Sequence, residues 1–140
     1  MKVKQLSVFL ENRPGTLAEL TAVLAGKGVN LRALSIADTQ DFGVVRIITA
    51  DPLSALAELS AEGYICKLSD VLAVSVDDQA GALDKILQVL DDAGTSVEYL
   101  YASLSPEAGR AFLIIRVRDT EAAEAALAAA GIGSDADQLF

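Results

Sequence analysis

The chain has no histidine, no tryptophan and a single cysteine, Cys66. Without histidine and with one thiol, Ser-His-Asp and Cys-His nucleophilic catalysis, histidine proton shuttles and Cys/His zinc sites are excluded. Carboxylate or lysine chemistry stays open, with nothing in its favour. A lone cysteine cannot form an intramolecular disulfide. Aromatic residues reach only 5%, so a core has to come from Leu, Val, Ile and Ala. Basic residues are few as well: 11 Lys and Arg stand against 20 Asp and Glu, for a net charge of −9. Such a balance argues against nucleic acid or an anionic membrane as partner. No apolar run approaches the about 18 residues of a membrane span. The start, Met1-Lys2-Val3-Lys4-Gln5, lacks the apolar stretch of a signal peptide. The expectation is a soluble, cytoplasmic protein without metal or cofactor, whose partners are small molecules or other proteins.

What is present is a globular composition, 52% hydrophobic and 22% charged over 140 residues, enough for one domain or two small ones. An internal repeat favours two. Gly15-Thr16-Leu17 and Gly81-Ala82-Leu83 lie 66 positions apart, as do Gly28 and Gly94, Leu6 and Leu72, Val8 and Val74, Leu20 and Ile86, Leu24 and Leu90, Leu34 and Leu100, and Gly43 and Gly109. Beyond that the offset is 68, pairing Asp51 with Asp119 and Gly63 with Gly131. The slip implies a longer third strand in the second copy.

In the first copy, residues 3–10 alternate with the period of a strand that buries one face. Asn12-Arg13-Pro14-Gly15 breaks it, and Leu17, Leu20 and Leu24 then fall on one helical face that ends at Gly26 and Gly28. Residues 31–38 and 44–49 read as strands joined by a Gly-containing hairpin at 39–43. Asp51-Pro52 caps a second helix with its stripe on Leu53, Leu56 and Leu59, Gly63 stops it, and 64–68 form a short fourth strand before Ser69-Asp70. The second copy repeats the order: a strand at 71–76, a helix carrying Leu83, Ile86, Leu87 and Leu90, strands at 97–104 and 109–117, and an alanine-rich helix at 121–130. Its fourth strand is weak, because Gly131-Ile132-Gly133-Ser134 offers little to pair, and the tail to Phe140 frays or docks elsewhere. The string β-α-β-β-α-β specifies an antiparallel sheet with two helices on one face. The fold class is α+β, two ferredoxin-like βαββαβ repeats at 1–69 and 70–140 packed side by side, as one rigid body because no flexible linker separates them.

Other ferredoxin-like modules fail at their sites. RNA-recognition versions need exposed aromatics on the central strands and a basic surface, whereas 44–49 and 111–117 hold one aromatic, Phe112. Metal chaperones need a second cysteine, and nucleotide binders need richer phosphate loops. The run Glu11-Asn12-Arg13-Pro14-Gly15-Thr16-Leu17-Ala18-Glu19-Leu20, followed by Gly28-Val29-Asn30-Leu31, resembles the signature of the ACT domain, the amino-acid-sensing module of regulated enzymes. Asp77-Asp78-Gln79-Ala80-Gly81-Ala82-Leu83 with Gly94-Thr95-Ser96-Val97 resembles a degenerate copy that departs at Asp78, Ala80 and Ser96. The resemblance covers the chain to about residue 132.

The resemblance implies a stand-alone, non-enzymatic regulator that binds a free amino acid where ACT repeats meet, acts as a homodimer, and signals to a separate enzyme or regulator of amino-acid metabolism. The first site would hold Asn12, Arg13, Pro14, Gly15, Thr16, Asn30 and Leu31, and Gln79, Ala80, Gly81, Ser96 and Val97 would be the weaker counterparts. Physically, Pro14 extends Arg13, Gly15 lets a ligand approach the helix start, whose N–H groups suit an α-carboxylate, and Asn12 both donates and accepts. The plainer alternative is an ordinary helix start, with Thr16-x-x-Glu19 as a capping box, in an interaction module that binds no ligand. Arg32 reads as a solvated charge, Tyr99 and Tyr101 as packing at an inter-repeat or dimer surface, and Cys66 as a buried small hydrophobe. Asp77-Asp78 with Asp91-Asp92 does not resemble a calcium loop.

Overall fold

The computed structural model describes residues 1–38, 40–103 and 108–133. The elements, in chain order, are β1 (Lys2–Glu11), α1 (Thr16–Gly26), β2 (Leu31–Asp38), β3 (Phe42–Thr49), α2 (Pro52–Ala61), β4 (Ile65–Asp77), α3 (Ala82–Asp92), β5 (Val97–Ser103), β6 (Arg110–Val117) and α4 (Thr120–Ala129). The described residues divide into two compact units, one within Lys4–Ser69, the other Met1–Val3 with the described residues from Asp70 on. The fold is α+β, two ferredoxin-like repeats.

In the first repeat β3 lies antiparallel between β1 and β2. Leu6, Val8 and Leu10 of β1 meet Leu20 and Leu24 of α1, Val45 and Ile47 of β3, and Ala55 and Leu59 of α2. The second repeat places β6 between β4 and β5. Its core joins Leu72 and Val74, Ile86 and Leu90 of α3, Leu113, Ile115 and Val117 of β6, and Ala123 and Leu127 of α4. Asp51 and Asp119 cap α2 and α4, each accepting a hydrogen bond at 3.0 Å, from the amides of Ser54 and Ala122 respectively. Helix α1 ends in a Schellman turn: Gly28 takes φ 71°, and the amides of Gly28 and Val29 donate to the Ala25 and Leu24 carbonyls at 3.0 and 2.9 Å.

Several expectations are corrected. Strand β1 buries both faces at its centre, since Gln5 and Ser7 are buried along with Leu6 and Val8. The expected fourth strand of the first copy and first strand of the second are one continuous strand, β4, because nothing between Leu68 and Val71 breaks an extended chain. Strand β3 begins at Phe42, two residues before the expected start. β3 and β6 both have 8 residues, so β6 is not longer. Glu11 faces Phe42 and Leu10 faces Gly43, while Asp77 faces Arg110 and Val76 faces Ala111. The two extra residues therefore sit in the β5–β6 connection, and the counterpart of Gly43 is Ala111, not Gly109. On α2 the buried positions are Ala55 and Leu59, and Leu53 faces outward. Leu83 of α3 is likewise exposed. Met1 and Ala73 exchange two hydrogen bonds, at 3.0 and 2.8 Å, which assigns the first residues of β1 to the second unit. The expected strand end at Leu104 and the tail from Ser134 lie outside the described residues. No helix among the described residues is long and apolar enough to cross a membrane.

Candidate functional site

The β1–α1 turn is held by backbone bonds rather than by a capping side chain. The Asn12 amide donates to the Asp41 carbonyl at 2.9 Å, tying the turn to the β2–β3 loop. Gly15, at φ 90° and ψ −15°, is the helix N-cap and brings no side-chain bond. The expected capping box is therefore absent. Thr16 sits one residue inside the helix, and its hydroxyl donates to the Glu11 and Arg13 carbonyls at 2.9 and 3.0 Å, locking the turn from within. The first N–H groups of α1 have no intrahelical acceptor, and Asn12, Arg13, Pro14 and Gly15 around them are exposed. Arg13 holds its guanidinium Nε 2.5 Å from the Glu11 carboxylate, so it is paired locally rather than simply solvated.

Asn30 and Leu31 lie elsewhere. Glu11 pairs with Phe42 at one end of β3 and Leu31 pairs with Thr49 at the other. Seven residues of strand separate them, about 23 Å. Within one repeat the two halves of the motif do not come together. Asn30 is exposed, while Leu31 packs on the first core. Arg32, beside them, has a buried Nε with no hydrogen-bond partner among the described residues, which the reading of a solvated charge did not foresee. The second copy is arranged alike: Gln79, Ala80 and Gly81 follow the end of β4 that pairs with Arg110, and Val97 pairs with Val117 at the far end of β6. Ser96 lines a small cavity of about 250 Å³ with Glu98 and Arg118. Val97 packs on the second core.

Each repeat has a groove beside its strand-to-helix turn. The first, about 390 Å³, is lined by Phe9, Glu11, Arg13, Glu19, Phe42 and Tyr64. The second, about 510 Å³, is lined by Ser75, Asp77, Gln79, Lys85, Arg110 and Ile132. Once the slip is placed before β6, these two sets correspond one to one. Of the expected site residues only Arg13, Thr16 and Gln79 reach a groove. Ser75, Lys85 and Arg110 were missed. Lys85 stands where the first copy has Glu19, a charge reversal visible at the 66-residue offset, whereas Arg110 is hidden by the slip. In the first groove the Tyr64 hydroxyl is pushed above its ordinary pKa, mainly by burial and then by the carboxylates of Glu19 and Glu62. Cys66 packs on the same core, and burial pushes its thiol up too, which suits a space-filling role.

The family model of the ACT domain pair matches residues 1–132. No curated protein matches the sequence. Among solved structures, protein BT0572 from Bacteroides thetaiotaomicron has a TM-score of 0.88 and 36% identity, over 94% of this chain and 90% of that one. The ligand-free regulatory subunit of aspartate kinase from Thermus thermophilus has a TM-score of 0.66 at 22% identity, covering 91% and 90%. The corresponding subunit from Thermus flavus has 0.59 at 21%, covering 94% and 95%. The last two are likenesses of fold. With its repeated strand-turn-helix motif and two ferredoxin-like units, the chain belongs to the ACT domain pair family.

Proposed function

We propose that this chain is a non-catalytic regulatory protein that binds a free amino acid and transmits occupancy to a separate enzyme or regulator of amino-acid metabolism. One observation carries the reading: the motif-bearing turn Asn12–Thr16 leaves the start of α1 without a side-chain cap, with exposed Asn12 beside it. That arrangement suits an α-carboxylate on the helix N–H groups and an amide for the ammonium or carboxylate. Because Asn12 and Asn30 lie at opposite ends of their unit, a ligand touching both takes its second half from another ACT unit. Among the described residues, strands β2 and β5 each pair on one side only, so each offers a backbone edge for a homodimer.

Thermal unfolding of the full chain with each of the twenty amino acids in turn tests the reading. A ligand at about 100 times its Kd stabilises by about 2.7 kcal/mol, and Asn12→Ala and Asn30→Ala abolish that response while the ligand-free midpoint reports on the fold. A second reading, an interaction module without a ligand, is favoured by the departures at Asp78, Ala80 and Ser96. Silence towards all twenty amino acids selects it.

A further inference from the structure

The two grooves share a place in the fold but not a charge. In the first, Glu11 and Glu19 outnumber Arg13, and the exposed rings of Phe9 and Phe42 complete the wall. In the second, Lys85 and Arg110 outnumber Asp77. A locally positive groove on a chain of net charge −9 is selective by contrast, since the rest of the surface repels the anion that the groove attracts.

The second groove is also built. Arg110 Nη1 donates to Asp77 Oδ1 at 2.7 Å, and Nη2 donates to the Ser75 hydroxyl, which is itself buried. A guanidinium held in this way loses little further freedom on taking a carboxylate. The Asp77 side chain stays 63% exposed in that pair, open on its other side to an ammonium. Lys85 stands one turn into α3 from Gly81, at the groove wall, and has no ion pair among the described residues. The volume of about 510 Å³ lies within the range of small-ligand sites, about 300–1,000 Å³.

We propose that the second groove binds an acidic amino acid, its two carboxylates on Arg110 and Lys85 and its ammonium on Asp77. Two cations and one carboxylate complement the two carboxylates and one ammonium of aspartate or glutamate. The assignment rests on the amino-acid-binding reading above and names the ligand class of the repeat whose motif is degenerate.

The test is thermal unfolding and calorimetric titration of the full chain with L-glutamate and L-aspartate. L-glutamine and L-asparagine serve as uncharged isosteres, glutarate as a dicarboxylate without an ammonium, and sodium chloride as a control at equal ionic strength. The expected result is a response to one or both acidic amino acids, with the isosteres and glutarate weaker by about tenfold or more. Lys85→Ala and Lys85→Glu, the latter installing the residue of the first repeat, raise the Kd by about tenfold or more. A response equalled by sodium chloride, or unchanged in both Lys85 variants, overturns the proposal. Glutarate binding as tightly as glutamate overturns the role of Asp77. Silence towards acidic amino acids with a response to another amino acid overturns this assignment and leaves amino-acid binding intact, whereas silence towards all twenty overturns both.

Discussion

Phe42 and Arg110 occupy the same position in the two repeats, Phe42 facing Glu11 across β1 and β3 and Arg110 facing Asp77 across β4 and β6. The neighbouring position differs in concert: the partly exposed Phe9 of the first repeat is the buried Ser75 of the second. The aromatic pair needs no polar partner, whereas the Ser75 hydroxyl receives a hydrogen bond from Arg110. Replacing Arg110 by Met keeps much of the stem and removes that donor. The expected loss is about 1–2 kcal/mol, because a buried hydroxyl is left without its partner. Ser75→Ala in the same chain recovers part of the loss. A double variant no more stable than Arg110→Met, measured by urea unfolding, would show that the pairing with Asp77, and not Ser75, sets the effect.

Thr16 and Glu19 make opposite predictions under the two accounts of the helix start. In the structure the Thr16 hydroxyl bonds back to the Glu11 and Arg13 carbonyls, and the N-cap, Gly15, is bonded by no side chain. Thr16→Val therefore costs about 1 kcal/mol, and Glu19→Ala, which removes the acceptor a capping box would use, changes stability by less than about 0.5 kcal/mol. A reciprocal capping box would make both substitutions costly. Equilibrium denaturation of the two variants separates the accounts.

The fold was legible because its signals are local and occur twice. Strand alternation, the Asp51-Pro52 cap and the apolar helix faces each follow from neighbours a few residues apart, and the second copy restates most of them. The groove was not legible, because Ser75, Lys85, Arg110 and Ile132 come from four separate stretches. Only the strand register shows that the two-residue slip precedes β6; the match of Gly43 with Gly109 pointed the other way. The capping box was a pattern match displaced by one residue, since Gly15 takes the N-cap position in a left-handed conformation that Thr16 would resist. The burial of both faces of β1 could not be read from alternation, because Gln5 and Ser7 look like an exposed face until the tertiary structure encloses them.

Gly15→Ala isolates a backbone effect. A Cβ at this position meets nothing within 4 Å, so sterics against neighbours contribute nothing, but the residue must hold φ +90°. The cost is about 1–2 kcal/mol, the left-handed penalty of an L-residue. Gly15→Asn, which tolerates that region better, should be the milder substitution. Calorimetric midpoints of the two variants check the order, and an Ala variant at least as stable as the Asn variant would show that the turn relaxes to another conformation.

Alkaline pH should destabilise the chain through three groups that hold their protons more tightly when folded. Burial pushes the Cys66 thiol above its ordinary 9.0. The Tyr64 phenol rises above 10.0, mainly through burial. Lys27 rises above 10.5, first through its hydrogen bond to Glu58, at 2.9 Å. In each case the unfolded chain releases its proton at a lower pH than the folded one, so above about pH 9 the unfolded state binds fewer protons and stability falls as pH rises. Thermal midpoints from about pH 9 to about pH 11 should decline, and Cys66→Ala and Tyr64→Phe should each lessen the slope. A decline equally steep in both variants would leave Lys27 as its only source among the three.

Leu53 and Leu59 look alike in the sequence, two leucines of one apolar stripe, yet Leu53 is 68% exposed and Leu59 fully buried. Pro52 opens α2, and Leu53 directly follows it at the solvent-facing start, while Leu59 and Ala55 turn into the first core beside Leu6 and Ile47. Leu59→Ala removes buried methyl groups and leaves a cavity that the close-packed strands β1 and β3 fill only partly, at about 2–5 kcal/mol. Leu53→Ala exchanges one exposed helix former for another and should stay within about 0.5 kcal/mol of the parent. The pair also bears on partners. If Leu53 were covered in a homodimer, its truncation would shift the monomer–dimer equilibrium in analytical ultracentrifugation without moving the intrinsic stability, whereas Leu59→Ala would act on stability at every protein concentration. An unchanged sedimentation profile for Leu53→Ala would place any dimer contact elsewhere, with β2 and β5, the outer strands among the described residues, the next surfaces to probe.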